Sequence, residues 1–330
     1  MTDTAPPDEA TPTEQATPAE QATSTDAHRS GFACFVGRPN AGKSTLANAI
    51  VGEKIAITSS KPQTTRRVIR GVLTRPDAQL VLVDTPGLHR PRTLLGERLN
   101  DLVHGTWSEV DVIGVCLPSS QRIGPGDEFL VGQIAELPRR PKLVALATKS
   151  DLVGPQRLAQ HLTRIMTLEE KFGIRWEAIV PVSALTGDQV DIVVSELTKL
   201  LPAGPPLYPD GEVTDEPTED RIAELIREAA LEGVDDELPH SIAVVIDEMG
   251  LREGRPDNQP LMDIYASIVV ERDSQKGIII GHRGERLKQV GTDARLQIRA
   301  LLGLPVHLMI HVKVMQDWQR DAKHLNRLGF

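Results

Sequence analysis

Cysteine, aromatic side chains and long apolar runs are all scarce in this chain of 330 residues. There are two cysteines, Cys34 and Cys116, both inside apolar runs that read as strands. They are expected as buried thiols in a reducing compartment rather than as the staples of a disulfide scaffold. No apolar run approaches the roughly 20 residues needed to cross a bilayer, and no secretory signal opens the chain, so a soluble cytoplasmic protein is expected. Aromatic residues make up 3% of the sequence. Trp318, near the C-terminus, reads as a packing anchor in a terminal helix rather than a platform for stacking bases. The formal net charge of −9 argues against a surface that binds nucleic acid everywhere, though not against a local basic face.

What is present is organised around Gly37-Arg38-Pro39-Asn40-Ala41-Gly42-Lys43-Ser44-Thr45. This is G-x-x-x-x-G-K-[S/T], the phosphate-binding loop. Gly37 and Gly42 let consecutive backbone N–H groups turn inward toward phosphate oxygens. Lys43 brings a cation to the β- and γ-phosphates, and the Ser44 hydroxyl can ligate Mg²⁺. Phe32–Val36 before it is a candidate buried strand. Leu46, Ala47 and Ile50 after it share one face of a helix beginning near Lys43, whose positive dipole end adds to the site.

Further motifs follow in order. Ile57–Arg66 is polar and threonine-rich and sits where a nucleotide-sensing loop belongs; Thr65, or its neighbour Thr64, can complete a Mg²⁺ shell. The strand Leu80–Val83 delivers Asp84-Thr85-Pro86-Gly87, in which Asp84 can hold Mg²⁺ in its outer shell and the Gly87 N–H can meet a γ-phosphate. Leu94, Leu95, Leu99, Leu102 and Val103 have helical spacing. Val110–Leu117 and Leu143–Ala147 read as strands, the second leading into Thr148-Lys149-Ser150-Asp151. A carboxylate at Asp151 can accept from N1–H and the 2-amino group of guanine, a donor pair that adenine lacks, while the Lys149 stem covers the base plane. The strand Ile179–Val182 ends in Ser183-Ala184-Leu185, a turn whose backbone can touch the base. Four motifs at the C-terminal ends of four strands define the ligand-binding edge of an open α/β sheet.

Two stretches punctuate this pattern. Residues 1 to about 30 are rich in Thr, Pro, Ala, Glu and Gln, with Thr-Pro-x-Glu-Gln-Ala occurring twice over Thr11–Ala22. Such a composition cannot bury enough surface to fold, so a disordered extension is expected. Pro202, Gly204, Pro205, Pro206, Pro209, Gly211 and Pro217 mark a linker over 203–217. The expected division is therefore 1–30 extension, 31–202 first domain, 203–217 linker and 218–330 second domain.

The second domain opens with a helix (Ile222, Leu225, Ile226, Ala229 and Ala230 on one face), capped by Thr218 or Asp220. Ser241–Ile246 and Ile264–Val270 are strands, the latter alternating Ile264, Ala266, Ile268 and Val270 against Tyr265, Ser267 and Val269. Gly277-Ile-Ile-Ile-Gly281-His282-Arg283-Gly284 precedes a helix through Leu287, Val290 and Ile298, then the strand Val306–Val314. The G-x-x-G turn lets a nucleic-acid backbone approach, with its N–H groups and Arg283 meeting phosphates. Arg272–Phe330 holds eleven Lys or Arg against five acidic residues, a basic segment in an acidic chain. Lys276, Arg286 and Lys288 are the further candidate RNA contacts, whereas His307 and His311 mark a polar strand face.

The motif set, phosphate loop, Asp-Thr-Pro-Gly, Thr-Lys-x-Asp and Ser-Ala-Leu, resembles that of GTPases, and the second domain resembles a type II KH domain. Together, from about residue 31 to the end, the chain resembles the Era family. The likeness extends to Pro62-Gln-Thr-Thr-Arg66, Leu207-Tyr-Pro-Asp210 and Val312–Trp318. It implies an α/β P-loop GTPase domain, a mostly parallel sheet with helices on both faces, followed by a smaller α+β KH domain. It further implies GTP/GDP and Mg²⁺ as ligands, slow intrinsic hydrolysis, binding near the 3′ end of small-subunit ribosomal RNA, a role in 30S assembly, a monomer, and peripheral membrane association for which this sequence shows no anchor. Three positions depart from the pattern. Thr148 replaces the usual Asn, which puts the ties to base and phosphate loop in question. Leu88 stands where Ras-like proteins place the Gln that orients water. Leu117-Pro-Ser-Ser120 replaces a strand end that is more often Asp-Ala. Asn40 resembles potassium-using relatives, in which K⁺ supplies charge that an arginine supplies elsewhere. Two alternatives stay open: a static GTP-bound scaffold that binds RNA without switching, and a GTPase of a related branch acting on other RNA.

Overall fold

The computed structural model describes residues 1–2, 27–58, 66–88, 93–232 and 241–330. The extension over 3–26 and the Thr64–Thr65 pair lie outside the described residues.

The N-terminal domain is a six-stranded sheet of order β2-β3-β1-β4-β5-β6. Its strands are β1 (Arg29–Val36), β2 (Ile69–Thr74), β3 (Ala78–Asp84), β4 (Val112–Cys116), β5 (Lys142–Thr148) and β6 (Ala178–Val182). All neighbours pair parallel except β2, which runs antiparallel to β3 at the edge. The period-two alternation of side chains divides the core. Ala33, Phe35, Leu80, Leu82, Val112 and Val144 face α1 (Lys43–Val51) and α5 (Val190–Lys199). Cys34, Val36, Val83, Ile113, Val115 and Ala145 face α2 (Leu94–Glu109), α3 (Pro125–Ala135) and α4 (Pro155–Phe172) on the opposite side. Both cysteines are fully buried free thiols, and burial raises both pKa values, Cys116 to about 12.

Three points differ from or refine the sequence reading. Arg29 and Ser30, assigned to the extension, belong to β1; Arg29 and Ser30 donate from their backbones to Asp77 and Pro202 carbonyls. The Pro-rich stretch is bound to the sheet: Gln79 Oε1 on β3 accepts from the Leu207 and Tyr208 N–H groups at 2.6 and 2.8 Å, and Val72 N–H of edge strand β2 donates to the Val213 carbonyl. In α2 the buried large side chains are Leu95, Leu99, Val103 and Trp107, spaced by four, while Leu102 turns outward and is 46% exposed.

The C-terminal domain runs α6 (Thr218–Leu231), β7 (Ala243–Leu251), β8 (Met262–Val270), α7 (Asp273–Ile280), α8 (Glu285–Leu302), β9 (Val306–Val314) and α9 (Ala322–Arg327). Its sheet is β7-β8-β9, antiparallel then parallel. This order, α-β-β-α-α-β, is the type II KH arrangement expected. Neither Thr218 nor Asp220 caps α6: the cap position is Pro217, without a side-chain bond. Asp220 instead pairs with Arg67.

The alternation expected of β8 holds on one face only. Ile264, Ala266, Ile268 and Val270 are buried under α6 and α8, but Ser267 and Val269 are buried too. For Val269 the reason is tertiary: Leu95 and Leu99 of α2 meet Ala243, Val269, Trp318, Leu325 and Leu328 in one cluster between the domains, whereas the Ser267 hydroxyl donates to Asp247 on β7. Trp318 is 0% exposed, donates its indole N–H to the Ser241 carbonyl at 3.2 Å and stacks on Phe330 at 5.8 Å. It is the packing anchor expected, but in a turn ahead of α9 rather than in a helix. Trp318→Ala should therefore cost about 3–5 kcal/mol of stability, the range for emptying a buried Trp site. Chemical denaturation checks this, and a loss below about 1 kcal/mol would contradict the anchor role.

Candidate functional site

The phosphate loop bridges β1 and α1 as its residue types require. A Cβ on Gly37 would stand 2.7 Å from the Cys116 carbonyl oxygen, so only glycine lets the loop rest on the end of β4. Asn40 (φ 60°) and Gly42 (φ 93°) take the left-handed conformations that wind the loop, and α1 begins at Lys43. Lys43 Nζ donates to the Gly37 and Arg38 carbonyls at 3.0 and 3.2 Å, which keeps the ammonium in the mouth of the loop. Burial lowers its pKa, opposed by the nearby Asp84 carboxylate. Ser44 Oγ donates to Asp84 Oδ2 at 2.8 Å, and Asp84 is fully buried at the end of β3. A hydroxyl and a carboxylate side by side are hard oxygen donors of the kind that Mg²⁺ takes. The Cα of Gly87 points toward Lys43 Nζ, 3.8 Å from where a Cβ would lie. Arg38 is drawn away to Asp127 (2.7 Å) and Gln121 (3.0 Å). Pro39 and Thr45 are exposed, and Ala41, Thr85 and Pro86 are buried supports. Leu88 packs its aliphatic side chain on the α2–α3 side of the core, so it offers no group to orient water.

Beyond the loop, a cavity of about 300 Å³ is lined by Gly42, Thr148, Lys149, Asp151, Ser183 and Leu185, among others. Lys149 takes a left-handed conformation (φ 57°) that starts a 3-10 turn and presents Asp151 to solvent. Leu152 and Leu185 are 60% and 83% exposed at the rim, apolar surface that a flat base would cover. The Ser183 hydroxyl accepts from Thr186 N–H at 3.3 Å, shaping the turn that carries Ala184 and Leu185. Thr148 resolves its departure from the family pattern. Its Oγ1 donates to the Ala41 carbonyl at 2.7 Å, so a hydroxyl ties β5 to the phosphate loop.

In the C-terminal domain, Gly281-His282-Arg283-Gly284 joins α7 to α8. A Cβ on Gly281 would lie 2.6 Å from Arg286 Cβ, and Arg283 and Gly284 have φ of 50° and 81°. The backbone is thus compact, with His282, Arg283 and Lys288 exposed and Lys276 half-buried. Arg286 is placed differently from the sequence reading. Its guanidinium donates to the Ala230 and Glu232 carbonyls at 3.1 and 2.9 Å. It serves the C-terminal end of α6 rather than the exposed turn.

A P-loop α/β domain with a base pocket carrying a guanine-type acceptor, joined to a KH domain, defines an RNA-associated GTPase. Comparison agrees on both halves: residues 32–149 match the family "50S ribosome-binding GTPase" and residues 237–319 the KH domain. The chain is 64% identical to the GTPase Era of a Nocardioides species over 92% of its length and 97% of that protein. It is 63% identical to the GTPase Era of Streptomyces coelicolor over 92% and 95%. A solved structure of Era with MgGDPNP and nucleotides 1506–1542 of 16S ribosomal RNA superposes with a TM-score of 0.85 at 34% identity, covering 92% of this chain and 99% of that one. The chain belongs to the Era family of GTPases, and hydrolysis of GTP is its reaction.

Proposed function

We propose that this chain is a nucleotide-gated RNA-binding switch in assembly of the small ribosomal subunit. Three lines support the reading: the match to Era solved with a 16S ribosomal RNA segment, the compact glycine turn, and the exposed basic residues around it. Lys43 and the N–H groups of residues 37–45 bind the phosphates; Asp151 reads the guanine edge, with Lys149 on the base plane and Ser183–Leu185 against it. Ser44, Asp84 and Thr65 would hold Mg²⁺, which would supply positive charge to offset that of the bound phosphates. Asn40 contributes to a K⁺ site on the phosphate loop. Contacts between the γ-phosphate and the segments 57–66 and 85–95 bias the KH domain toward the RNA-competent state. Gly281–Gly284, Lys276 and Lys288 contact RNA near the 3′ end. The division into a first domain running to residue 202, a linker at 203–217 and a KH domain at 218–330 separates the two tasks. The protein acts as a monomer in the cytoplasm with peripheral access to the membrane; among the described residues no helix is long and apolar enough to cross it.

The turn gives a direct test. Gly284→Asp sets a carboxylate where phosphate must approach and strains a backbone at φ 81°. RNA affinity is expected to fall at least tenfold, about 1.4 kcal/mol, with GTP affinity unchanged. If both affinities fell, or neither, the division of labour would be wrong.

A further inference from the structure

The two domains meet at a carboxylate that no role described above uses. Glu228 on α6 is 5% exposed. One of its oxygens accepts the Thr58 backbone N–H at 2.9 Å and lies 3.4 Å from the Thr58 hydroxyl. The other is paired with Lys54, whose ammonium also reaches Gln297 of α8 at 2.5 Å. On the far side of the same segment, Arg66 is 2% exposed and donates to the Ile242 carbonyl at 2.5 Å, with its guanidinium 5.9 Å from the Trp318 ring centre. Arg66 also lies close enough to the paired Glu224 and Arg227 of α6 for their charges to act on it. Thr58 and Arg66 therefore bracket the sequence that carries Thr64 and Thr65, and both are bonded to the KH domain.

We propose that Glu228 is a positioning residue for GTP hydrolysis, supplied by the KH domain to the nucleotide-sensing segment of the GTPase domain. A buried carboxylate is costly unless it is paired and accepts hydrogen bonds. Here Lys54 provides the countercharge and the Thr58 N–H the directional bond, which fixes the backbone at the start of the threonine-rich stretch. The contact runs both ways: whatever energy Glu228 lends to γ-phosphate recognition, recognition returns to the seating of α6. Helix α6 also receives Arg286 from the RNA-contacting side, through the Ala230 and Glu232 carbonyls. One helix thus touches both the nucleotide-sensing segment and the root of the glycine turn.

The proposal rests on the reading of residues 57–66 as nucleotide-sensing, and the test separates the two. Full-length Glu228→Ala, Glu228→Asp and Glu228→Gln are compared with wild type and with a variant in which Thr64 and Thr65 are both Ala. Turnover of GTP, affinity for GDP, and affinity for a non-hydrolysable GTP analogue are measured. Ala removes the acceptor, and Asp keeps the charge but withdraws it from Thr58. Both should lower kcat and analogue affinity about tenfold, the worth of one charge-assisted hydrogen bond, with GDP affinity within about twofold of wild type. Gln still offers an oxygen to the Thr58 N–H and should recover at least half the wild-type rate. Parallel loss of GDP affinity would reduce Glu228 to a merely structural residue, and wild-type values in the Ala and Asp variants would exclude it altogether. If the double threonine variant turned over normally, the loop reading itself would fall and the proposal with it. If only that variant lost activity, the role of Glu228 alone would be overturned.

Discussion

Asp151→Asn is expected to turn the protein from GTP toward xanthosine triphosphate. The carboxylate accepts from two guanine donors, and an Asn amide sets its own N–H₂ against one of them. Losing one charge-assisted bond and gaining one donor–donor clash should weaken GTP by roughly hundredfold or more. Xanthine carries an oxygen at the 2-position, which accepts from the new amide while N1–H still donates to the Asn oxygen. Its triphosphate should bind the variant at least as well as GTP does. Asp151 is exposed in the middle of a short 3-10 turn, so the exchange leaves the fold intact. Competition between the two nucleotides for wild type and variant reads the outcome directly. An unchanged preference would mean that Asp151 does not read the base.

Lys43→Ala is expected to abolish useful triphosphate binding. Lys43 Nζ is held at the loop mouth by the Gly37 and Arg38 carbonyls, with Asp84 behind it. Removing one partner of a desolvated charge pair costs about 3–5 kcal/mol, or a few hundred- to a few thousand-fold in affinity. The side chain occupies the loop rather than the apolar core, so thermal melting of the free variant should stay near wild type. Titration with a labelled nucleotide checks the affinity. Tight binding by a folded Lys43→Ala would remove the phosphate-loop assignment.

The parts of this molecule that were legible in advance are those in which sequence neighbours are also spatial neighbours. The phosphate loop, Asp84–Gly87, Thr148–Asp151 and Ser183–Leu185 each follow a buried apolar run, so a parallel sheet brings all four to one edge. The KH order and the glycine turn were readable for the same reason. What escaped depends on contacts across long stretches of chain. The bond from Thr148 to Ala41 spans 107 residues, and no local pattern says that a hydroxyl can replace the amide there. Burial of Val269 is imposed by α2 and the C-terminal segment, which β8 alone does not encode. Arg286 looked like one more basic residue beside the turn, yet its length lets it reach the end of α6. Edge strand β2 was overlooked because it follows the polar stretch and pairs antiparallel in a sheet read as mostly parallel. Arg66 belongs by sequence to that polar stretch, and its burial comes from contacts with the second domain, the Ile242 carbonyl and the Trp318 ring among them.

The central claim, that nucleotide state gates RNA binding, is tested most directly by one affinity measurement. A short RNA copying the 3′ end of small-subunit ribosomal RNA is titrated against the full chain at fixed salt, with a scrambled RNA as control. The titration is made with a non-hydrolysable GTP analogue and repeated with GDP. The account predicts tight, sequence-dependent binding with the analogue that weakens with GDP. Binding indifferent to both sequence and nucleotide would contradict it, leaving a GTPase whose basic domain touches RNA without choosing it.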